Sequence, residues 1–169
     1  VRRPGDREQE RHGQQQSPVG RTRTLPVGTV EHLRIAVVSC SNFAAGYFNA
    51  YARIAERSDL DLVLHLGDAL YEYASDQYGS TRPCDPPHET VTLDDYRRRH
   101  AQYKSDADSQ RMLAQHALVA IWDDHETAND AWQGGAENHQ PDAGEGEWPA
   151  RVSAALQAYH DWMPVREQR

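Results

Sequence analysis

The stretch DLVLHLGDALYEY, residues 61–73, decides the fold. Its first six positions, DLVLHL, are dominated by Leu and Val, the signature of a strand buried in a sheet. Gly67 then lets the backbone turn without a Cβ clash. Asp68 follows at once, so a carboxylate sits on the turn at the strand's carboxyl end. Two other runs read the same way. LRIAVVS at 33–39 leads into Cys40 and Asn42, and ALVAIW at 117–122 leads into Asp123-Asp124-His125-Glu126. GYFNAYARIAER at 46–57 suits a helix, with Tyr47, Tyr51, Ile54 and Ala55 near one face. Strand, helix, strand is a βαβ unit, so the fold class is α/β with parallel pairing and a right-handed crossover.

The remaining segments fit around this frame. Residues 74–91 read as a long loop broken by Gly79, Pro83, Pro86 and Pro87. Thr92 with an acid three residues later predicts a capped helix running to about Lys104. Ser105 or Asp106 caps another, ending near His116. After a Gly-rich acidic loop at 133–147, Pro149 opens a last helix with Val152, Leu156, Tyr159 and Met163 on one stripe. At the other end, residues 1–16 lack apolar periodicity and read as a disordered tail. Residues 17–30 read as a linker or broken strand.

Of the 169 residues, 38% are hydrophobic, enough for one domain with a core, and the net charge is −8. That acidity argues against a nucleic-acid-binding domain, which needs a basic surface. No apolar stretch is long enough to cross a bilayer, and no apolar segment follows the basic start, so neither a transmembrane segment nor a signal peptide is read here. Cys40 and Cys84 lie in unlike surroundings, which speaks against their pairing.

All three apolar runs end in groups that can hold a metal, and ligands of open α/β sheets bind beyond the carboxyl ends of the strands. The oxygens of Asp68 can bridge two cations. Tyr71, one helical turn on, can bring its phenol to the same ion. The alternative is an N-cap at Asp68 and an ordinary packed aromatic at Tyr71. Two acids, a histidine and a third acid directly after a strand are costly to place together without a cation. Asp124 can ligate a metal, and His125 can protonate a leaving alkoxide or hold phosphoryl oxygens; a solvated acidic loop or an N-cap is the other reading. Cys40 alone reads as a small buried hydrophobe, yet thiolate, phenolate and carboxylate together suit a trivalent or soft transition ion. Asn42, Asp123 and Asn129 are further candidates, with Asp130 either extending the site or serving a turn. The run Tyr96-Arg97-Arg98-Arg99-His100 is an exposed helix face or a lip that steers anionic phosphate.

These motifs resemble those of the PhoD-like alkaline phosphatases, a branch of the calcineurin-like metallophosphoesterases. The resemblance rests on GRTRTLP at 20–26, AVVSCSNFAAGYFNAY at 36–51, DLVLHLGDALYEY at 61–73, VTLDDYRRRHAQYKSD at 91–106, WDDHETAND at 122–130 and QAYHDWMPVR at 157–166. It implies part of a four-layer α/β sandwich, the first βαβ units only. Residues 33–169 would be the N-terminal half of the phosphatase domain, and 17–32 a remnant of a small β-domain. It further implies an iron (Fe3+) held by Cys40, Asp68 and Tyr71, and calcium (Ca2+) held by Asp124 with Asp68 shared. His125 would be the catalytic histidine in an attack by metal-bound hydroxide on the phosphorus of a phosphate monoester or diester. Members of the family are exported, so a secreted or cell-envelope location is implied. The histidine and aspartate ligands that complete the family's centre would lie beyond Arg169. A metal-binding or interaction fragment without catalysis is therefore the alternative function. Half a parallel sheet is expected to leave an apolar edge and face open.

Overall fold

The computed structural model of the chain describes residues 19–22, 24 and 27–165. Strands β1 (Ile35–Val38), β2 (Leu62–His65) and β3 (Leu118–Ala120) pair in parallel, in the order β1-β2-β3. Val38 lies beside His65, and His65 beside Ala120, so the three carboxyl ends are level. Four α-helices accompany them: α1 (Asn49–Ala55), α2 (Leu93–Ser105), α3 (Ala107–Gln115) and α4 (Trp148–Trp162).

Right-handed crossovers along a sheet ordered 1-2-3 carry every connection over the same face. That face is the covered one. Ala36, Val38, Val63 and Leu118 pack under Phe48, Tyr51, Tyr103 and Met112. Tyr159 and Met163 at the end of α4 pack with Ala69, Leu118, Ala120 and Trp122. The opposite face is open: Ile35, Val37, Val119 and Ile121 are exposed, Val37 at 59%. The strands are thus buried on one face rather than two, and the apolar face expected to be open is open.

Local sequence accounts for the helix ends. Thr92 and Asp95 form the expected capping box, with Asp95 Oδ2 accepting from Thr92 N at 2.9 Å. Asp106, not Ser105, caps α3, accepting from Asp108 N at 2.9 Å and Ser109 N at 3.1 Å. Each such cap stabilises by about 1 kcal/mol. Helix α4 differs from its expected stripe. Its buried side carries Arg151, Ala155, Ala158 and Tyr159, while Leu156 is exposed. The two alanines let α4 approach α2 closely, around the buried Tyr96, and a leucine there would hold the helices apart.

The tail expected at 1–16 lies outside the described residues. Among the described residues of 17–32 there is no strand, and Arg21 N donates to Ala114 O at 2.8 Å at the end of α3. Among the described residues no helix is long and apolar enough to cross a membrane.

Candidate metal centre

Three turns at the carboxyl ends of the strands are pressed against one another. Cys40 has φ 56° and Asp68 φ 54°, both left-handed and unusual for residues with a Cβ. Such backbones persist where the surroundings over-determine them. Here the turn after β1 is tied to the turn after β2: Cys40 N donates to Gly67 O at 3.3 Å and Ser41 N to Asp68 O at 2.9 Å. Gly67, at φ 102°, faces the turn after β3, where a Cβ on it would lie 2.3 Å from Asp123 Cβ. Only glycine permits that approach.

Side chains follow the turns. The Cys40 thiol lies 3.4 Å from Asp68 Oδ2, and Tyr71 OH donates to the same oxygen at 3.3 Å. The other oxygen, Asp68 Oδ1, is buried and has no hydrogen-bond partner among the described residues. Asp68, Asp124 and His125 each offer a ligand atom, all within 4.8 Å of one another. Burial pushes the Asp68 carboxyl up, against the pull of His125 and Cys40, and Asp123 and Asp124 add to the upward push. Burial pushes the Tyr71 phenol up as well, reinforced by Asp68. A cation reverses this balance, since it favours the deprotonated form of every group it touches. The unsatisfied buried oxygen and the donor set of thiol, phenol and carboxylate therefore fit a bound cation.

His125 is held from behind. Its Nδ1 bonds Glu72 Oε2 at 2.8 Å, and Glu72 is fully buried. The second oxygen of Glu72 accepts from Asn129 N at 2.7 Å and Asn138 Nδ2 at 2.9 Å. Burial pushes the imidazole down, but Glu72, Asp68 and Asp124 together outweigh it and the net shift is upward. The Tyr71 ring stacks on the imidazole at 4.2 Å. Glu72 was given no role from sequence. Its signal was a carboxylate between two tyrosines after a buried strand, which is costly without a partner.

The other expected residues are placed as follows. Asn42 Oδ1 accepts from Ala44 N and Ala45 N, and its Nδ2 donates to Tyr78 O at 2.9 Å, so the side chain is spent on the loops. Asp123 N-caps the one-turn 3-10 helix Asp124–Glu126. Asn129 serves Glu72 by its backbone and donates to Glu137 by its side chain. Asp130 N donates to Asp124 Oδ2 at 2.6 Å, the work of a turn residue. Cys40 is exposed rather than a buried hydrophobe, and both cysteines are free thiols.

The basic run is not a phosphate lip. Arg97 pairs with Asp161, Arg98 with Asp85, and Tyr96, Arg99 and His100 are buried. Arg99 donates to the carbonyls of Tyr71 at 2.5 Å, Tyr73 at 2.9 Å, Asp85 at 3.2 Å, Pro86 at 2.7 Å and His88 at 3.1 Å. A guanidinium can satisfy this fan of carbonyls because it carries five N–H donors. Arg97 and Arg98 lie on the exposed side of the helix, as expected of a helix face, while Arg99 fixes the loop behind Tyr71.

The chain is similar to known proteins over most of its length. Alkaline phosphatase D of Bacillus subtilis (strain 168) is 41% identical over 161 residues, which is 91% of this chain and 27% of that protein. A solved structure of PhoD superposes with a TM-score of 0.81 at 40% identity, covering 91% of this chain and 30% of that one. The chain thus spans under a third of the length of either relative. The family model for PhoD-like phosphatase matches residues 35–169, from the first residue of β1 onward. With that match over most of its length, the chain belongs to the PhoD-like phosphatase family.

Proposed function

We propose that the strand-end cluster holds two cations and hydrolyses phosphate esters, both monoesters and diesters. The observation that carries this reading is the meeting of Cys40 Sγ and Tyr71 OH at one oxygen of Asp68 while the other oxygen has no partner among the described residues. Thiolate, phenolate and carboxylate suit ferric iron. The free Asp68 oxygen and Asp124 are hard donors that suit calcium. Bound there, the cations would supply Lewis acidity and a water of lowered pKa.

The chain's own residues supply the rest. Asp68 and Asp124 would hold the cations beside His125. Glu72 accepts from Nδ1 of His125, which leaves Nε2 to carry a proton to the departing oxygen. Glu72 pulls the imidazole pKa upward against burial, and so favours the protonated ring. The Tyr71 ring holds the imidazole in plane for the transfer.

A second reading is cation binding without turnover. Four candidate donors, Cys40, Asp68, Tyr71 and Asp124, serve two ions, whereas calcium alone takes six to eight oxygens. One experiment separates the two. The chain is loaded with iron and calcium and assayed on p-nitrophenyl phosphate, beside Asp68→Ala. Calcium-dependent release of p-nitrophenol, lost in the variant, supports hydrolysis. Binding of cations without release selects the second reading, and failure to bind either cation overturns both.

A further inference from the structure

We propose that Glu126 is the positioning residue that forms the metal site in advance, by fastening the turn that bears Asp68 to the turn that bears Asp124. The inference rests on the metal-centre reading above and adds a residue that is not a ligand. Glu126 is 1% exposed. Its Oε2 accepts from Asp68 N at 3.0 Å on one turn and from Asp123 N at 2.8 Å on the other, and its Oε1 accepts from Ala69 N at 2.6 Å. Both oxygens are thus committed to backbone, and neither is left to ligate.

A capping role accounts for only one of the three bonds. The Asp123 N–H belongs to the short helix that Glu126 ends. The Asp68 and Ala69 N–H groups lie nearly sixty residues away on a different strand end. They are also the amides that set the backbone of the bridging aspartate. Three backbone N–H bonds to one buried side chain fix the two turns relative to each other without adding a ligand.

The test uses the metal-free chain titrated with calcium alone in a calorimeter. Glu126→Gln replaces one acceptor oxygen by an amide donor, so it cannot accept from all three N–H groups. Its calcium affinity is expected to fall by about ten- to hundredfold, the usual cost of losing a group that orients a ligand, with the cooperative melt retained. Glu137→Gln removes the same charge at the rim, where the carboxylate accepts from Asn129 Nδ2, and should bind calcium as the parent does. A purely structural role would lower the melting temperature of Glu126→Gln and leave its affinity unchanged, which overturns the inference.

If Glu126→Gln does not fold, amide hydrogen exchange in the parent decides. The amides of Asp68, Ala69 and Asp123 should be protected together before calcium is added. Protection that arises only on adding calcium overturns the inference. A parent chain that takes up no calcium overturns the metal-centre reading itself, and this inference with it.

Discussion

At the carboxyl ends of the strands, buried side chains are spent on joining one loop to another: Glu72 to Asn129 and Asn138, Glu126 to two turns, Arg99 to five carbonyls. On the sheet face away from the helices, Ile35, Val37, Val119 and Ile121 have no such engagement and stand exposed. The difference separates two sources of order. The candidate centre is held by hydrogen bonds to buried charged groups, which are costly to leave unmade. It does not depend on two-sided burial of the sheet beneath it. Substitutions at the first region should therefore be severe and those at the second nearly silent.

The largest effect is expected at Arg99. Arg99→Met keeps much of the stem but strands five carbonyls in a buried loop. A loss of about 3–5 kcal/mol in urea unfolding is expected, the range for breaking a buried charged network. A loss below about 1 kcal/mol would mean that the loop behind Tyr71 finds water easily, and the contrast between the two regions would fail. Next comes Gly67→Ala. The new Cβ would meet Asp123 Cβ at 2.3 Å on a backbone at φ 102°. Strain of about 1–3 kcal/mol from the backbone joins that of the clash. Thermal melts should show the drop, and calcium titration should show weakened binding because the Asp68 and Asp124 turns are forced apart.

How much of this was legible in sequence differs between the same regions. The three strands could be read because short apolar runs ended abruptly in Gly67-Asp68, in Cys40 and in Asp123-Asp124. The candidate donors Cys40, Asp68, Tyr71, Asp124 and His125 lie on those ends, and level strand ends bring them together. The partners behind them could not be read. Glu72 and Glu126 are polar letters within polar motifs, and only three-dimensional proximity shows that one meets His125 and the other meets Asp68 N. Arg99 misled for the opposite reason. A run of three arginines looks like a charged surface, yet the helix period turns Arg97 and Arg98 outward to Asp161 and Asp85 and Arg99 inward. The stripe on α4 held at Tyr159 and Met163 but not at Leu156, since close helix approach selected Ala155 and Ala158 there.

Glu72→Gln should have an intermediate effect, about 1–3 kcal/mol, with a pH signature. Glu72 raises the His125 pKa in the folded chain. A raised folded pKa stabilises fully below the unfolded value of about 6.5 and ceases to do so as pH rises through the folded value. The deficit of the variant should therefore be greatest near pH 6 and shrink at alkaline pH. An NMR titration of the imidazole should show its midpoint move down. An unmoved midpoint would show that Glu72 acts only through Asn129 and Asn138.

The smallest effect is expected on the open face. Val119 sits beside Leu64 in the register, and Ile121 follows β3. The double variant Val119→Thr, Ile121→Thr keeps the β-branched shape that strands favour and replaces exposed methyl groups by hydroxyls. Stability in urea should stay within about 0.5 kcal/mol of the parent, as for other exposed positions. Self-association in sedimentation velocity should decline, because contiguous exposed apolar side chains drive it. A loss above about 1.5 kcal/mol would mean that these methyl groups are buried in solution, since only burial gives them that energy. If the loss grows with protein concentration, a second copy covers the face; if it does not, a segment of the same chain does.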